Sequence, residues 1–349
     1  MEGTASARLL DWDAAARFGS RLAGAGPLIE PDDRARLRDD FTELVAEAES
    51  LVVQLTGLTV DGAPTRAWVM SRSTWIRENL RGFERVLSPF AARLAERTGD
   101  GALSAMRRKV LAAQVGGLLG YMGRKVLGQY DLFVPSEGHD LLYFIGPNVA
   151  ELEARHRFAP RDFRLWLCLH EVAHRVQFGG VPWLRPYLRD MIDGYLASIE
   201  LDGRKLIQTI RRAREEAVRG HSRGLGVLSL LMTPEQRETF RRLQAVMSLL
   251  EGHGNYVMAA LSVGRIHGEE RMRRTLSRRR HGPVDRVIQK AIGLDVKVRQ
   301  YALGERFVSR VVRRAGMEGF NRVWERKENL PTLEEVGRPD AWVERVATT

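Results

Sequence analysis

The stretch Leu165-Trp-Leu-Cys-Leu-His-Glu-Val-Ala-His-Arg-Val-Gln-Phe178 carries H-E-x-x-H inside an apolar helical run, and the rest of the chain is read outward from it. On a helix, His170 and His174 project from one face, one turn apart, where two imidazole nitrogens can hold one metal ion. Glu171 lies beside that pair, not readily a ligand with its neighbours, but it can reach a water on the metal and take its proton, the general-base role of this spacing. Leu165, Cys168, Leu169, Val172, Ala173 and Val176 form an apolar face, so the helix is a buried one. Buried histidines beside a glutamate need partners, and a metal ion supplies one. The plainer alternative is a helix whose histidines hydrogen-bond within a core.

The 349 residues are 44% hydrophobic and 28% charged, a globular composition long enough for one large domain or two lobes sharing a cleft. The expected organisation is a single mainly α (α+β) domain over 1–349. It has lobes 1–180, with the N-terminal helices, a β-hairpin and the H-E-x-x-H helix, and 181–349, helical and supplying a third ligand. The net charge of +11 suits an acidic partner, yet arginines on solvated helix faces give the same total. Cys168 is the only cysteine, which excludes an intramolecular disulfide and a Cys-rich zinc site and agrees with a reducing compartment. The first residues do not read as a signal peptide. Val110 to Met122, the longest apolar stretch, is too short for a bilayer core of about 30 Å. A cytoplasmic protein without a membrane partner is expected.

Along the chain, Asp11 opens a helix to Leu22, and a second helix runs from Pro31 to a stop at Gly57. Leu58 to Val60 and Ala67 to Met70 flank a turn-like Asp61-Gly-Ala-Pro64 and suggest a short hairpin. Ser73 reads as the cap of a helix kinked or ended near Pro89. A long helix from Leu103 to Leu127 contains Gly116, Gly117, Gly120 and Gly123, which points to close packing against another backbone. Asp131 to Val134 and Leu141 to Ile145 form the best strand pair, turning through 135–140. Leu141 to Ile145 is the candidate edge strand beside the metal helix, where an extended peptide could add; an ordinary covered strand is the alternative. Beyond Gly180, helices run through Ile199 and Val218, and Thr233-Pro234 starts another that carries Leu250-Glu-Gly-His253. Phe320, Trp324 and Trp342 read as anchors of the C-terminal segment.

A catalytic zinc site takes three protein ligands and a water, so a third residue is needed. The extension that would place glycine at Gln177 and histidine at Gly180 fails. Asp193 and Glu200 lie at workable separations, Asp190 slightly too near. Glu251 stands among small residues that let a carboxylate approach a metal, and is favoured over Asp193 and His253. His253 and Tyr256 are candidates to stabilise an oxyanion, with a core tyrosine as the plainer reading of Tyr256.

Gln114-Val-Gly-Gly-Leu-Leu-Gly, Lys125-Val-Leu-Gly-Gln-Tyr-Asp131, Tyr143-Phe-Ile-Gly-Pro-Asn-Val149, His170-Glu-Val-Ala-His174, Val181-Pro-Trp-Leu-Arg185, Leu250-Glu-Gly-His253 and Gly319-Phe-Asn-Arg-Val-Trp324 together resemble the uncharacterised zincin-like metallopeptidases. These are sometimes labelled as associated with the biosynthesis of a deazaflavin coenzyme. The resemblance covers nearly the whole chain. It implies a mainly helical zincin-like fold with zinc at His170 and His174, and Glu251 matching the family's Glu-Gly-His element. One departure stands out: Ala259 and Ala260 occupy positions where the family often carries an acid.

The expectation is therefore a zinc-dependent hydrolase, a gluzincin-like metallopeptidase in which Glu171 activates a zinc-bound water and the substrate is a peptide. A small amide or ester is the alternative substrate. From a different class, an inactive metal-containing basic module binding nucleic acid or protein would draw on the arginines of 204–223 and 271–286, although nucleic-acid motifs are absent.

Overall fold

The computed structural model describes residues 10–60, 64–98, 102–131, 141–198, 232–279 and 295–347. The turn at 135–140, Glu200, the basic stretch 204–223, the apolar run 284–292 and the end of 271–286 lie outside the described residues. The architecture is mainly α with one small three-stranded sheet. The chain divides into two compact units, residues 1–50 with 62–175, and residues 51–61 with 176–349.

In the first unit, Asp11 caps α1 (Trp12–Ala23) by accepting the N–H of Ala14 at 2.8 Å. α1 lies along α4 (Ala102–Gly123) with backbones nearly touching. A Cβ on Gly116 would sit 2.5 Å from the carbonyl oxygen of Ala15, and one on Gly120 2.6 Å from that of Gly19. Gly116 and Gly120 thus allow the close approach of α1, whereas a Cβ on Gly117 would meet the ring of Phe18 and one on Gly123 the side chains of Ile76 and Trp75. α2 (Pro31–Thr56) starts and stops where its proline and Gly57 require. α3 (Arg72–Thr98) passes Pro89 without ending. Its cap is Ser71, whose Oγ accepts the N–H of Thr74 at 3.1 Å, rather than Ser73. At the first residue of α3, the buried Arg72 guanidinium donates to Asn148 at 2.6 Å and Glu151 at 2.7 Å.

The sheet corrects two strand expectations. β1 (Arg66–Met70) pairs in parallel with β3 (Leu141–Ile145), and β2 (Gly128–Tyr130) pairs antiparallel on β3's other side. Residues 58–60 are not a strand, so no hairpin forms there. The connection from β1 back to β3 instead spans α3 and α4, as a parallel pair requires. β3 is the central strand, not an edge. Its uninterrupted apolar run fits this, because a strand covered on both faces has no polar alternation to keep. Phe144 stacks on Phe41 with centroids 4.0 Å apart, and Tyr143 is buried with its hydroxyl donating to Asp131 at 2.6 Å. β2 covers Gly128–Tyr130, and residues 132–134 of the partner strand expected at 131–134 lie outside the described residues. α5 (Gly146–His156) follows β3 directly, and α6 (Pro160–Gly180) runs through Arg175 in this unit and ends in the other.

The second unit holds α7 (Leu184–Ser198), α8 (Pro234–Ser262), α9 (Glu269–Arg279) and α10 (Asp295–Asn321). Thr233 and Gln236 cap α8 reciprocally. α8 runs unbroken through Gly252 and Gly254, and packs on α10. Phe320, Trp324 and Trp342 are all buried as anchors, Trp342 donating its indole N–H to the carbonyl of Asn329 at 2.7 Å.

Candidate metal centre

Much of α6 is buried, with Phe163, Leu165 to Leu169, Val172, Ala173, Val176 and Phe178 in the core. Such a helix belongs inside a fold. Along one line of it, His170 and His174 are only half-buried, their rings edge-on with centroids 4.8 Å apart. Gln177 continues the same face one turn on and is fully buried.

Glu171 is 8% exposed, and its placement depends on β2. Its Oε2 accepts the backbone N–H of Tyr130 at 3.1 Å. Gly128, two residues back along β2, leaves the space the side chain fills: a Cβ there would meet Glu171 Cγ at 2.7 Å and Oε1 at 2.8 Å. β2 is itself held by Gln129, which accepts the indole N–H of Trp75 at 2.7 Å and donates to Asn79 at 3.1 Å. Burial pushes the thiol of Cys168 up, and the negative charges of Glu171 and Glu47 act in the same direction. Cys168 is therefore a core thiol rather than a nucleophile.

Glu251 lies half-buried on α8. Among the described residues, His170, His174 and Glu251 form the group able to hold a metal ion, each offering one ligand atom, with these atoms all within 4.8 Å of one another. Donors bound at about 2.1 Å in a tetrahedron stand about 3.4 Å apart, so side-chain shifts of under about 1 Å would bring the set to zinc. Two imidazoles and one carboxylate are also the donor chemistry of catalytic zinc sites that keep a fourth position open. Asp193 is exposed on α7 and does not belong to the group, nor does His253.

His253 is fully buried, stacked on Phe320 with centroids 5.2 Å apart and edge-on to Trp324 at 5.6 Å. Its Nδ1 lies 2.7 Å from Nε2 of Gln177, which also donates to the carbonyl of Leu250 at 3.0 Å. The expected role of His253 as an oxyanion donor would need this buried ring to face a substrate, and its neighbours are Phe320, Trp324 and Gln177. Tyr256 is half-buried on α8, and burial raises its phenol above the ordinary range, so the hydroxyl stays protonated at neutral pH and able to donate. Gly128, Tyr130 and Gln177 were missed as site residues. The one sequence signal was the failure of Gln177 to be the glycine of the extended motif.

Three comparisons bear on this arrangement. Among curated proteins no match is found. A crystal structure from Chloroflexus aurantiacus, of a protein provisionally described as a hydrolase with a novel fold, is 32% identical in sequence. It aligns over 97% of this chain and 98% of its own with a TM-score of 0.73. The family model of the zincin-like metallopeptidases matches residues 10–343. With the model matched over nearly the whole length, the chain belongs to the zincin-like metallopeptidase family.

Proposed function

We propose that the protein is a zinc-dependent peptide hydrolase in which His170, His174 and Glu251 hold the ion and Glu171 is the general base. The observation that carries this reading is that the ligand atoms of His170, His174 and Glu251 all lie within 4.8 Å of one another, with Glu171 next to His170 on α6. Zinc, when bound, lowers the pKa of water to about 7 and polarises a carbonyl. Glu171 accepts the proton of the attacking water and passes it to the leaving amine. Tyr130 holds one carboxylate oxygen of Glu171 through its N–H and so orients the group for that task. Tyr256 donates its hydroxyl to the developing oxyanion.

The test is Glu171→Gln, assayed for zinc content and for cleavage of a mixed fluorogenic peptide library. The amide keeps the shape and leaves the ligands in place, so the reading expects full zinc occupancy with cleavage lowered at least a hundredfold. Cleavage at the parental rate would remove Glu171 from the mechanism. Cleavage of small amide or ester probes alone would move the substrate to that class.

A further inference from the structure

Nothing in the H-E-x-x-H pattern explains why Gln177 is buried without exposure at the end of the metal helix. Its Nε2 is 3.0 Å from the carbonyl oxygen of Leu250 and 2.7 Å from Nδ1 of His253. A carbonyl only accepts, so the nitrogen of the amide must face it, and the second amide hydrogen then goes to His253. His253 Nδ1 is thereby an acceptor. The Leu250 carbonyl belongs to the peptide unit whose nitrogen is that of Glu251. Gln177 thus grips α8 immediately before Glu251 and again two residues after it.

Two further contacts keep α8 from turning about that grip. The His253 ring is stacked on Phe320 at an interplanar angle of 14° and edge-on to Trp324 at 68°. At the adjacent position, Gly252 is pressed on α10 so closely that a Cβ there would lie 2.2 Å from the carbonyl carbon of Gly304. A helix held by its backbone on one side and by a ring on another has a single rotational setting, and the direction of the Glu251 side chain follows from it.

We infer that Gln177 and His253 are a positioning pair that fixes the carboxylate of Glu251 for the metal, with Gln177 placed on the same face of α6 as His170 and His174 so that one helix sets both histidine ligands and the grip on the third. The inference rests on the proposed reading of Glu251 as a ligand. The amide and the imidazole are not ligands themselves; they lower the cost of ordering the carboxylate before an ion arrives.

The experiment measures zinc affinity of the full chain by chelator competition after metal stripping, and thermal unfolding with and without zinc. The variants are Gln177→Met, His253→Phe, His253→Asn and Glu251→Ala. Methionine keeps the bulk of Gln177 and removes both hydrogen bonds, and phenylalanine keeps the stack on Phe320 and removes the acceptor. Asparagine places an amide oxygen where Nδ1 was. Gln177→Met and His253→Phe are expected to weaken zinc about 10- to 100-fold, and His253→Asn, which restores the acceptor but loses the stack, to weaken it less than His253→Phe. The rise in Tm on adding zinc should shrink in the first two, by more than the zinc-free Tm falls. Parental zinc affinity in Gln177→Met and His253→Phe, or an equal fall of Tm with and without zinc at unchanged affinity, would overturn the inference. If Gln177→Met does not fold, the contrast between His253→Phe and His253→Asn decides by the same criterion. Parental affinity in Glu251→Ala would instead overturn the ligand reading beneath it. Loss of zinc in Glu251→Ala alone would overturn only the positioning pair.

Discussion

The backbone N–H of Tyr130 donates to Oε2 of Glu171 at 3.1 Å, which ties the candidate general base to the outer strand β2 across 41 residues of chain. A carboxylate fixed through one oxygen keeps the orientation of the other, and a base so held loses little entropy when it meets its proton. Gly128 is the matching half of the arrangement, since only a residue without a Cβ leaves Glu171 the space it occupies.

Gly128→Ala should therefore displace the Glu171 carboxylate while leaving the ligands alone. The new Cβ would lie 2.7 Å from Glu171 Cγ, well inside van der Waals contact. Misplacement of a reacting group by about 1 Å costs on the order of a hundredfold in rate. The expected outcome is a fall in kcat of about 10- to 100-fold with KM and zinc content near parental values, measured by steady-state peptide cleavage and metal analysis. A fall in zinc content of the same size would show instead that the strand supports the ligands.

The two helix glycines Gly116 and Gly194 should respond in opposite directions to alanine. At Gly116 the added Cβ meets the Ala15 carbonyl oxygen at 2.5 Å, whereas at Gly194 nothing lies within 4 Å. Gly116→Ala should cost about 1–3 kcal/mol, the overpacking outweighing the gain in helix propensity. Gly194→Ala should stabilise by about 0.5–1 kcal/mol through propensity alone. Urea unfolding of both variants measures the pair, and the same sign at both sites would contradict the close packing of α1 on α4.

Glu335 gives a pH signature. Burial raises its pKa, but the bidentate hydrogen bonds of Arg345 at 2.6 and 2.9 Å and the N–H of Thr332 outweigh that, and the net shift is downward. A carboxyl lowered in the folded state contributes stability that is fully present above its unfolded pKa of about 4.3 and is lost as the pH falls through the folded value. Glu335→Gln keeps a capping amide and removes the charge. It should be less stable than the parent by about 1 kcal/mol at pH 7, with the gap closing below about pH 4. A gap that persists unchanged at pH 3 would assign the effect to packing rather than charge.

Local chemistry was legible in the sequence, and partnerships were less so. Asp11, Pro31 and Thr233 mark helix starts because caps and N-terminal prolines act within one turn, and the i, i+4 spacing puts His170 and His174 together because a helix dictates it. The expected hairpin at 58–70 failed because Asp61-Gly-Ala-Pro64 looks like a turn whether or not the runs beside it pair. The partner of β1 lies 75 residues on, at Leu141, and no local pattern names it. Leu141 to Ile145 reads as either an edge strand or a covered one, and its unbroken apolar run fits the covered strand that the sheet shows. Gly128 and Gln177 escaped notice because what each one touches is far away in sequence. A glycine that makes room for a carboxylate looks like any other glycine until the carboxylate is beside it.

The most direct test of the account is zinc affinity by chelator competition in the parent, Glu251→Ala and Asp193→Ala. The ligand atom of Glu251 lies within 4.8 Å of those of His170 and His174, while Asp193 is exposed on α7. The account predicts affinity weakened by well over tenfold in Glu251→Ala and near the parental value in Asp193→Ala. The reverse ranking, or parental affinity in Glu251→Ala, would contradict it.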